Sequence, residues 1–206
     1  MVINSGQARQ VLAAVGDQGP RGERLKAFFG CMYYAALRPE EAIDLRREEN
    51  LISLPESGWG ELRLTHSQPR SGTRWTDIGQ SRERRELKHR ALGETRLVPV
   101  HPELVILLRE HMERFGTGRG GRILTGPRGG TVAEWGYLEV FHAARREALG
   151  DADARTPLMG RPYDLRHAAV STWLNAGVPA AQVAEWAGHS VGRVLALPII
   201  FCFLLG

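Results

Sequence analysis

The spacing of apolar residues changes twice along this chain, and this change limits the fold more than any other sequence feature. Residues 24–34 and 102–115 carry apolar side chains at the three- and four-residue intervals of a helix. Between these segments the pattern shortens to strand-like pieces, at residues 51–54, 61–65 and 95–100. Further helices are predicted at 39–47, 134–149, 164–176 and 179–187. The sequence therefore predicts an α+β fold that is mainly helical, with a small antiparallel β-sheet.

The net charge of +4 is concentrated in residues 67–96, a segment with eight basic and four acidic residues. Such a segment is either a solvated loop or a strand pair laid against phosphates, and charge alone leaves both interpretations open. On the second interpretation, five arginines are candidates for contacting double-stranded DNA: Arg70, Arg74, Arg84, Arg85 and Arg90.

Cysteine usage and hydropathy favour a cytoplasmic protein without a membrane partner. The chain has two cysteines, Cys31 and Cys202, which suggest neither a disulfide framework nor a zinc site and so favour a reducing compartment. The first ten residues lack the apolar core of a signal peptide. The uncharged run at residues 194–206 is shorter than the roughly 20 apolar residues that span a bilayer.

Arg38 is the first candidate for binding an anion. It follows an apolar helix and precedes Pro39, which suits the first turn of the next helix. A rigid scaffold therefore aims its planar guanidinium, which can make two hydrogen bonds to one phosphate. Glu41, one turn on, either orients Arg38 for a ligand or pairs with it at the helix cap, and this segment alone favours the cap.

Arg166 and His189 are two further candidates. Arg166 lies near the start of a predicted helix, where anions bind well, and it shares a helix face with Tyr163. Asp164 can cap this helix. His189 projects from the turn after a helix that ends at Gly188, and a single histidine in such a place is usually structural.

Taken together, these segments resemble the tyrosine recombinases, also called the phage integrase family. The family's first-arginine box resembles Ala-Leu-Arg-Pro-Glu-Glu at residues 36–41, and its His-x-x-Arg box resembles Tyr-Asp-Leu-Arg-His at 163–167. Its Leu-Gly-His-Ser box resembles Ala-Gly-His-Ser at 187–190, and its β-hairpin lysine would be Lys88. The resemblance covers about residues 5–193, and four elements agree in order and spacing.

The resemblance implies site-specific DNA recombination, such as the integration or excision of a mobile element, by strand breakage and rejoining. In the family a tyrosine attacks a DNA phosphodiester and a 5′-hydroxyl later reverses the covalent link, so no metal or other cofactor is needed. The implied partners are double-stranded DNA and other recombinase protomers.

The family also implies a role for each candidate residue. Arg38 and Arg166 would stabilise charge on the non-bridging phosphate oxygens. Lys88 would protonate the leaving 5′-oxygen, and His189 would donate a hydrogen bond to the phosphate. Tyr163 occupies a position where the family usually has histidine or lysine. Its hydroxyl can still donate a hydrogen bond, but it is a poor base at neutral pH.

The family's nucleophile is missing where the resemblance places it. That position, about nine residues past His189, holds Pro198, and no tyrosine follows Tyr163. The apolar tail either replaces the usual C-terminal segment or reflects an ending shifted or truncated relative to an active relative, and we favour the second. The expected organisation is a catalytic domain at 1–193, without the family's N-terminal core-binding domain, and an atypical tail at 194–206. The chain is therefore predicted to be inactive as written.

Two other function classes compete with this prediction. A non-enzymatic DNA-binding module of helix-turn-helix type would begin at residues 181–190, but it needs a recognition helix after Ser190. Only Arg193 could offer that helix a positive charge, and the apolar tail argues against it. A metal-dependent hydrolase would need ligands at metal-binding spacing, which the seven histidines do not show, so no metal ligand is predicted.

Overall fold

The computed structural model describes residues 3–69, 84–87 and 93–196, and these are mainly helical, as predicted. In chain order, the described helices are α1 (Ser5–Gly16), α2 (Gly19–Tyr34), α3 (Pro39–Asp44), α4 (Arg47–Asn50), α5 (Pro102–Phe115), α6 (Glu134–Ala154), α7 (Tyr163–Asn175), α8 (Ala180–Ala187) and α9 (Val191–Leu195). The strands are β1 (Leu51–Ser53), β2 (Gly60–Leu64), β3 (His66–Ser67), β4 (Arg85–Glu86) and β5 (Arg96–Val100).

Three of the strands form an antiparallel sheet in the order β1–β2–β5, which confirms the predicted α+β fold. Strand β2 pairs with β5 from Gly60 opposite Val100 to Leu64 opposite Arg96. Side chains alternate between the two faces of a strand, and Arg96, Val98 and Val100 are the buried set of β5. The sheet therefore carries an arginine into the interior. Strands β3 and β4 form a separate antiparallel pair.

Helix α2 runs through the middle of the core and packs against α1, α5 and α7. Every residue of its second half, from 27 to 34, is buried. The rings of Phe28 and Phe29 contact the rings of Tyr137 and Phe141 on α6, which fixes the helix in place. Because the end of α2 is held this firmly, the chain that follows it is positioned as well.

The structure differs from the sequence prediction near the N-terminus and after α3. Helix α1 is not predicted by the sequence pattern, yet it buries Val11 and Val15 in the core. The single helix predicted at 39–47 is two helices. The reason is that the Leu45 carbonyl accepts the Ile123 N–H at 2.9 Å, so the chain leaves the helix at that point.

Helices α5 and α6 show how well the helical spacing locates an element. Helix α5 has its predicted bounds, with Leu104 and Leu108 buried. Helix α6 continues past its predicted end at residue 149 to Ala154, with a break at Gly150 (φ 73°). Within the described residues, none of the helices combines the length and apolar character of a membrane span.

Candidate functional site

Arg38 is positioned by the buried connection between α2 and α3. Ala36 in this connection adopts a left-handed backbone conformation (φ 48°), which is uncommon for a residue other than glycine. The backbone N–H of Arg38 donates to Glu41 Oε2 at 2.8 Å, and its Nη1 donates to Oε1 at 2.7 Å. Its Nη2 donates to the carbonyl of Gly188 at 2.7 Å. Glu41 therefore both caps α3 and orients the guanidinium.

Arg166 points from α7 into the same interior, and its side chain is fully buried. Its Nη1 donates to the carbonyl of Ala36. Its Nη2 donates to the carbonyl of Ala187 and to His189 Nε2, the latter at 2.8 Å. The guanidinium lies 5.7 Å from the centre of the Tyr163 ring, so these two side chains share a helix face as predicted. Arg166 thus connects the three boxes that the sequence singles out.

His189 is a neutral imidazole with a defined tautomer. Arginine can only donate, so Nε2 of His189 accepts the bond from Arg166 and the ring hydrogen lies on Nδ1. This Nδ1 is buried and has no hydrogen-bond partner among the described residues. Burial and the charges of Arg166 and Arg38 lower the pKa of His189 to about 3. At neutral pH the imidazole therefore holds an unpaired donor.

Arg96, for which the sequence analysis finds no role, completes the arrangement. Its side chain is 1% exposed, and it donates from Nη1 to Glu41 Oε1 at 3.1 Å and from Nη2 to Oε2 at 2.7 Å. Nη1 of Arg166 lies 3.8 Å from the same Oε2. We call these four residues, Arg38, Arg96, Arg166 and Glu41, the arginine cluster. The sequence signal for Arg96 is its place in phase with the apolar residues of β5, where a charge is not expected.

The arginine cluster holds three cations around one anion, which leaves a surplus of two positive charges. Burial alone would raise the pKa of Glu41, but the charges of Arg96, Arg166 and Arg38 outweigh it and lower that pKa to about 2. Burial lowers the pKa of Arg166 to about 10, against the opposing effect of Glu41. The Glu41 carboxylate and the Arg166 guanidinium are therefore both charged at neutral pH, in a setting where a further anion would be attracted.

Gly188 fits against the arginine cluster in a way that no other residue could. It ends α8 in the left-handed conformation (φ 61°, ψ 47°). A Cβ atom at this position would overlap Nη1 of Arg96 and would lie 3.4 Å from Nη1 of Arg38. Both the backbone conformation and the available space therefore require glycine.

The structure brings four of the predicted site residues together from three separate segments: Arg38, Tyr163, Arg166 and His189. The other catalytic candidates, Lys88 and the nucleophile position Pro198, lie outside the described residues. The same is true of three DNA-contact candidates, Arg70, Arg74 and Arg90.

Arg84 and Arg85 are the DNA-contact candidates that the structure does describe, at the start of β4. Arg84 donates from Nε to Asp44 Oδ2 at 2.8 Å and from Nη2 to Glu49. It therefore ties the β3–β4 pair to α3 and α4. The DNA contacts of both arginines stay a prediction.

Asp164 does not have the capping role that the sequence predicts. Helix α7 begins one residue earlier, at Tyr163, and its N-cap is Pro162, which makes no side-chain cap bond. The Asp164 carboxylate instead accepts the backbone N–H of Arg161 at 3.0 Å. The ring of Tyr163 lies edge-on to that of His167, with 5.0 Å between their centres.

Comparison with solved structures identifies the architecture. The Tn1549 transposon integrase, in complex with a circular intermediate DNA, superposes with a TM-score of 0.74 at 13% identity over 95% of this chain. The XerH site-specific recombinase bound to its difH substrate gives 0.68 at 14% identity over 96%. The catalytic domain of bacteriophage HP1 integrase gives 0.55 at 16% identity over 94%. The fold is that of a tyrosine recombinase catalytic domain.

The chain covers only part of the length of these structural neighbours. The chain spans 60% of the Tn1549 integrase chain, 50% of the XerH chain and 84% of the HP1 domain. No family model matches the sequence, and no curated protein matches it significantly. Similarity is therefore visible in the fold and not in the sequence as a whole.

Two observations bear on the competing interpretations. The helix that follows Ser190, α9, has five residues, which is short for a recognition helix. Among the described residues, no group of three or more His, Cys, Asp or Glu side chains is arranged to hold a metal ion.

Proposed function

We propose that this chain binds one backbone phosphate of double-stranded DNA between Arg38, Arg166 and His189, as part of site-specific DNA recombination. The observation that carries the proposal is the convergence of these three side chains, from three separate segments, on an interior with surplus positive charge. A phosphate group, with its negatively charged oxygens, is the partner that such an interior favours.

Arg38 is the arginine of the cluster that a phosphate would contact first from the solvent. Its side chain is 11% exposed, whereas those of Arg96 and Arg166 are buried. Hydrogen bonds from its side chain to described residues use two of its five N–H groups, so further donors remain. A phosphate on Arg38 gains two charge-assisted hydrogen bonds at low dielectric, where they are strong.

Binding at Arg166 requires a local exchange of partners. Its Nη2 bonds the carbonyl of Ala187, the last residue of α8, and Nε2 of His189 in the segment that links α8 and α9. We call the stretch from Ala187 to His189 the α8–α9 segment. A phosphate oxygen takes the place of these acceptors when the α8–α9 segment shifts, and His189 then turns its Nδ1–H towards the ligand. Lys88, on the segment between β4 and β5, would donate to the leaving 5′-oxygen, and Tyr163 would donate to a phosphate oxygen.

Cleavage is a separate step, and we propose that the chain as written does not perform it. Covalent catalysis needs a tyrosine hydroxyl in line with the scissile bond. The chain has four tyrosines and none after Tyr163. Tyr33, Tyr34 and Tyr137 are buried in helices, and Tyr163 lies beside Arg166 as part of the pocket. The expected setting is cytoplasmic, with DNA and other protomers as partners.

The phosphate site is tested by the salt dependence of DNA binding. Arg38→Ala should weaken binding to a DNA duplex about tenfold and should reduce the slope of log K against log salt by about 0.9, the value for one lost phosphate contact. Arg114→Ala is the control, because it removes the same charge from an exposed arginine on α5 that pairs with Glu23. If both variants have the same effect, Arg38 does not hold a phosphate.

The absence of cleavage is tested with a suicide DNA substrate, whose nicked strand traps a covalent intermediate. The expected result is that no covalent protein–DNA adduct accumulates with this chain. An adduct resistant to denaturation would contradict the proposal, and peptide mapping would identify the attacking residue.

A further inference from the structure

Arg96 is buried and bonds Glu41 through both of its terminal nitrogens. It is the first residue of β5, and its side chain is 1% exposed. Its two Nη atoms both bond Glu41, while its Nε is buried without a partner among the described residues. Because both Nη atoms of Arg96 are engaged with Glu41, we take its contribution to the pocket to pass through Glu41 or through the backbone beside it.

The four hydrogen bonds on Glu41 explain what Arg96 does. Arg38 supplies two of them, from its backbone N–H and Nη1, and Arg96 supplies the other two. A carboxylate has about four lone-pair sites, so Glu41 is saturated. Arg166 is kept at 3.8 Å, outside hydrogen-bond range, and donates to the carbonyls of Ala36 and Ala187 instead.

Arg96 also touches the second anchor of Arg38. The space beside the backbone of Gly188 is filled by the Arg96 guanidinium, since a Cβ atom there would overlap Nη1 and lie 3.1 Å from Cζ. The Gly188 carbonyl accepts the Nη2 of Arg38. Both partners that fix the Arg38 side chain, Glu41 and Gly188, are thus held in place by Arg96.

We propose that Arg96 is a positioning residue of the phosphate pocket: by saturating Glu41 and supporting Gly188, it keeps Arg38 and Arg166 turned towards a bound phosphate. This inference rests on the proposed function. Without the Arg96 fork, two acceptor sites on Glu41 become vacant, and Arg166 moves the short distance to fill them. Arg166 then no longer contacts His189, and the pocket loses one of the two arginines that would bind the phosphate.

Lysine cannot replace Arg96 in this role, although it keeps the charge. The guanidinium matches the two oxygens of a carboxylate with two parallel N–H groups, whereas an ammonium is a point donor on a flexible stem. Arg96→Lys therefore leaves the charge of the cluster unchanged and removes only the geometry. This makes it the variant that separates positioning from simple electrostatics.

The test is a double-mutant cycle of Arg96→Lys and Arg38→Ala, read out as affinity for a fluorescent DNA duplex over a range of salt concentrations. Arg96→Lys alone should weaken binding about five- to tenfold and make the salt slope shallower, although no charge is lost. In the Arg38→Ala background, the same change should weaken binding less than twofold, because the arginine that it positions is gone.

The matched control is Arg145→Lys. Arg145 is also buried, at 8% exposed, but its partners among the described residues are the backbone carbonyls of residues 153–158. This variant should leave both affinity and salt slope unchanged. All proteins are first compared by near-ultraviolet circular dichroism. If Arg96→Lys does not fold, Arg96→Gln, which retains an NH₂ donor pair, replaces it in the cycle; because this variant also loses the charge, its coupling to Arg38→Ala, and not its salt slope, is then the readout.

Each outcome bears on one of the two proposals. Additive effects of the two substitutions, or an Arg96→Lys variant that binds DNA like the wild type, would overturn the positioning role. So would the failure of both Arg96 variants to fold, since Arg96 would then act only in folding. If Arg38→Ala itself has no effect on affinity or slope, the phosphate site fails and not merely the role of Arg96.

Discussion

Arg145 and the arginine cluster both bury guanidinium groups within the described residues, and they do so in opposite ways. Arg145 donates from Nε to the Leu158 carbonyl at 2.8 Å, from Nη1 to the Ala154 carbonyl at 2.7 Å and from Nη2 to the Thr156 carbonyl at 2.6 Å. These acceptors all belong to one short stretch, from the end of its own helix, α6, to Leu158. Each nitrogen has a partner, and the arginine closes that segment onto α6.

The arginine cluster uses its donors incompletely. Its partners come from distant parts of the chain, and the Nε atoms of Arg96 and Arg166 are buried without a partner among the described residues, as is Nδ1 of His189. Unpaired buried donors cost stability, and three of them lie close together here beside a surplus of positive charge. The comparison shows that Arg145 bonds carbonyls through all three of its nitrogens, whereas the arginine cluster leaves buried donors unpaired beside the proposed phosphate site.

The largest effect is expected from removing the anion of the cluster. Glu41→Gln should lower the free energy of unfolding by about 3–5 kcal/mol, because three buried cations lose their common counter-charge. Urea unfolding at pH 7 measures this loss. Glu103→Gln is the control: its carboxylate bonds Arg9 at 2.9 Å but is 42% exposed, so the expected cost is below about 1 kcal/mol. Equal costs would show that the cluster is not electrostatically coupled.

The next effect is expected at Gly188. Gly188→Ala should cost about 2–4 kcal/mol, because it combines a left-handed conformation with overlap onto Arg96. Gly177→Ala, at φ 83° with nothing within 4 Å of the added Cβ, should cost about 1–2 kcal/mol from the backbone alone. Only the first substitution should also weaken DNA binding. If the two variants unfold at the same urea concentration, the contact with Arg96 is not tight.

The sequence predicts the helical part of this fold well because helical spacing is a local property. Helix α5 and the buried Leu104 and Leu108 follow from apolar residues at three- and four-residue intervals. The split between α3 and α4 could not be predicted in this way, because it depends on a bond from Ile123 to Leu45 across 78 positions of the chain. Distant partners decide such details.

The site residues show the same contrast between local patterns and contacts across the chain. Arg38, Arg166 and His189 could be predicted because each lies in a recognisable local motif. The role of Arg96 could not, since an arginine in a basic segment looks like a solvated residue until the pairing of β2 and β5 places it in the interior. Its partner Glu41 is 55 positions away, and only the folded chain brings the two together.

Acid should lower the stability of the protein through His189, which bonds Arg166 of the arginine cluster, and not through Arg145. Burial and nearby arginines lower the pKa of His189 to about 3, so between pH 6.5 and 3 the unfolded chain binds a proton that the folded chain does not. Stability therefore falls as pH decreases through this window. His189→Asn should recover roughly 1–2 kcal/mol of the loss between pH 7 and 5, measured by urea unfolding. Arg145→Lys should keep the wild-type dependence of stability on pH, because the partners of Arg145 are backbone carbonyls. A weaker dependence on pH in this variant would count against attributing the effect to His189.

The smallest effect on function is expected at Arg145 itself. An ammonium in place of its guanidinium can reach one or two of the carbonyls of residues 153–158, so Arg145→Lys should cost about 1–2 kcal/mol of stability. Its DNA affinity and salt slope should match the wild type within error, since four of the five N–H groups of Arg145 already bond these carbonyls. A clear loss of affinity in the folded variant would mean that saturated arginines also support DNA binding. Donor saturation would then no longer distinguish the two regions, and the unpaired donors of the cluster would need another explanation.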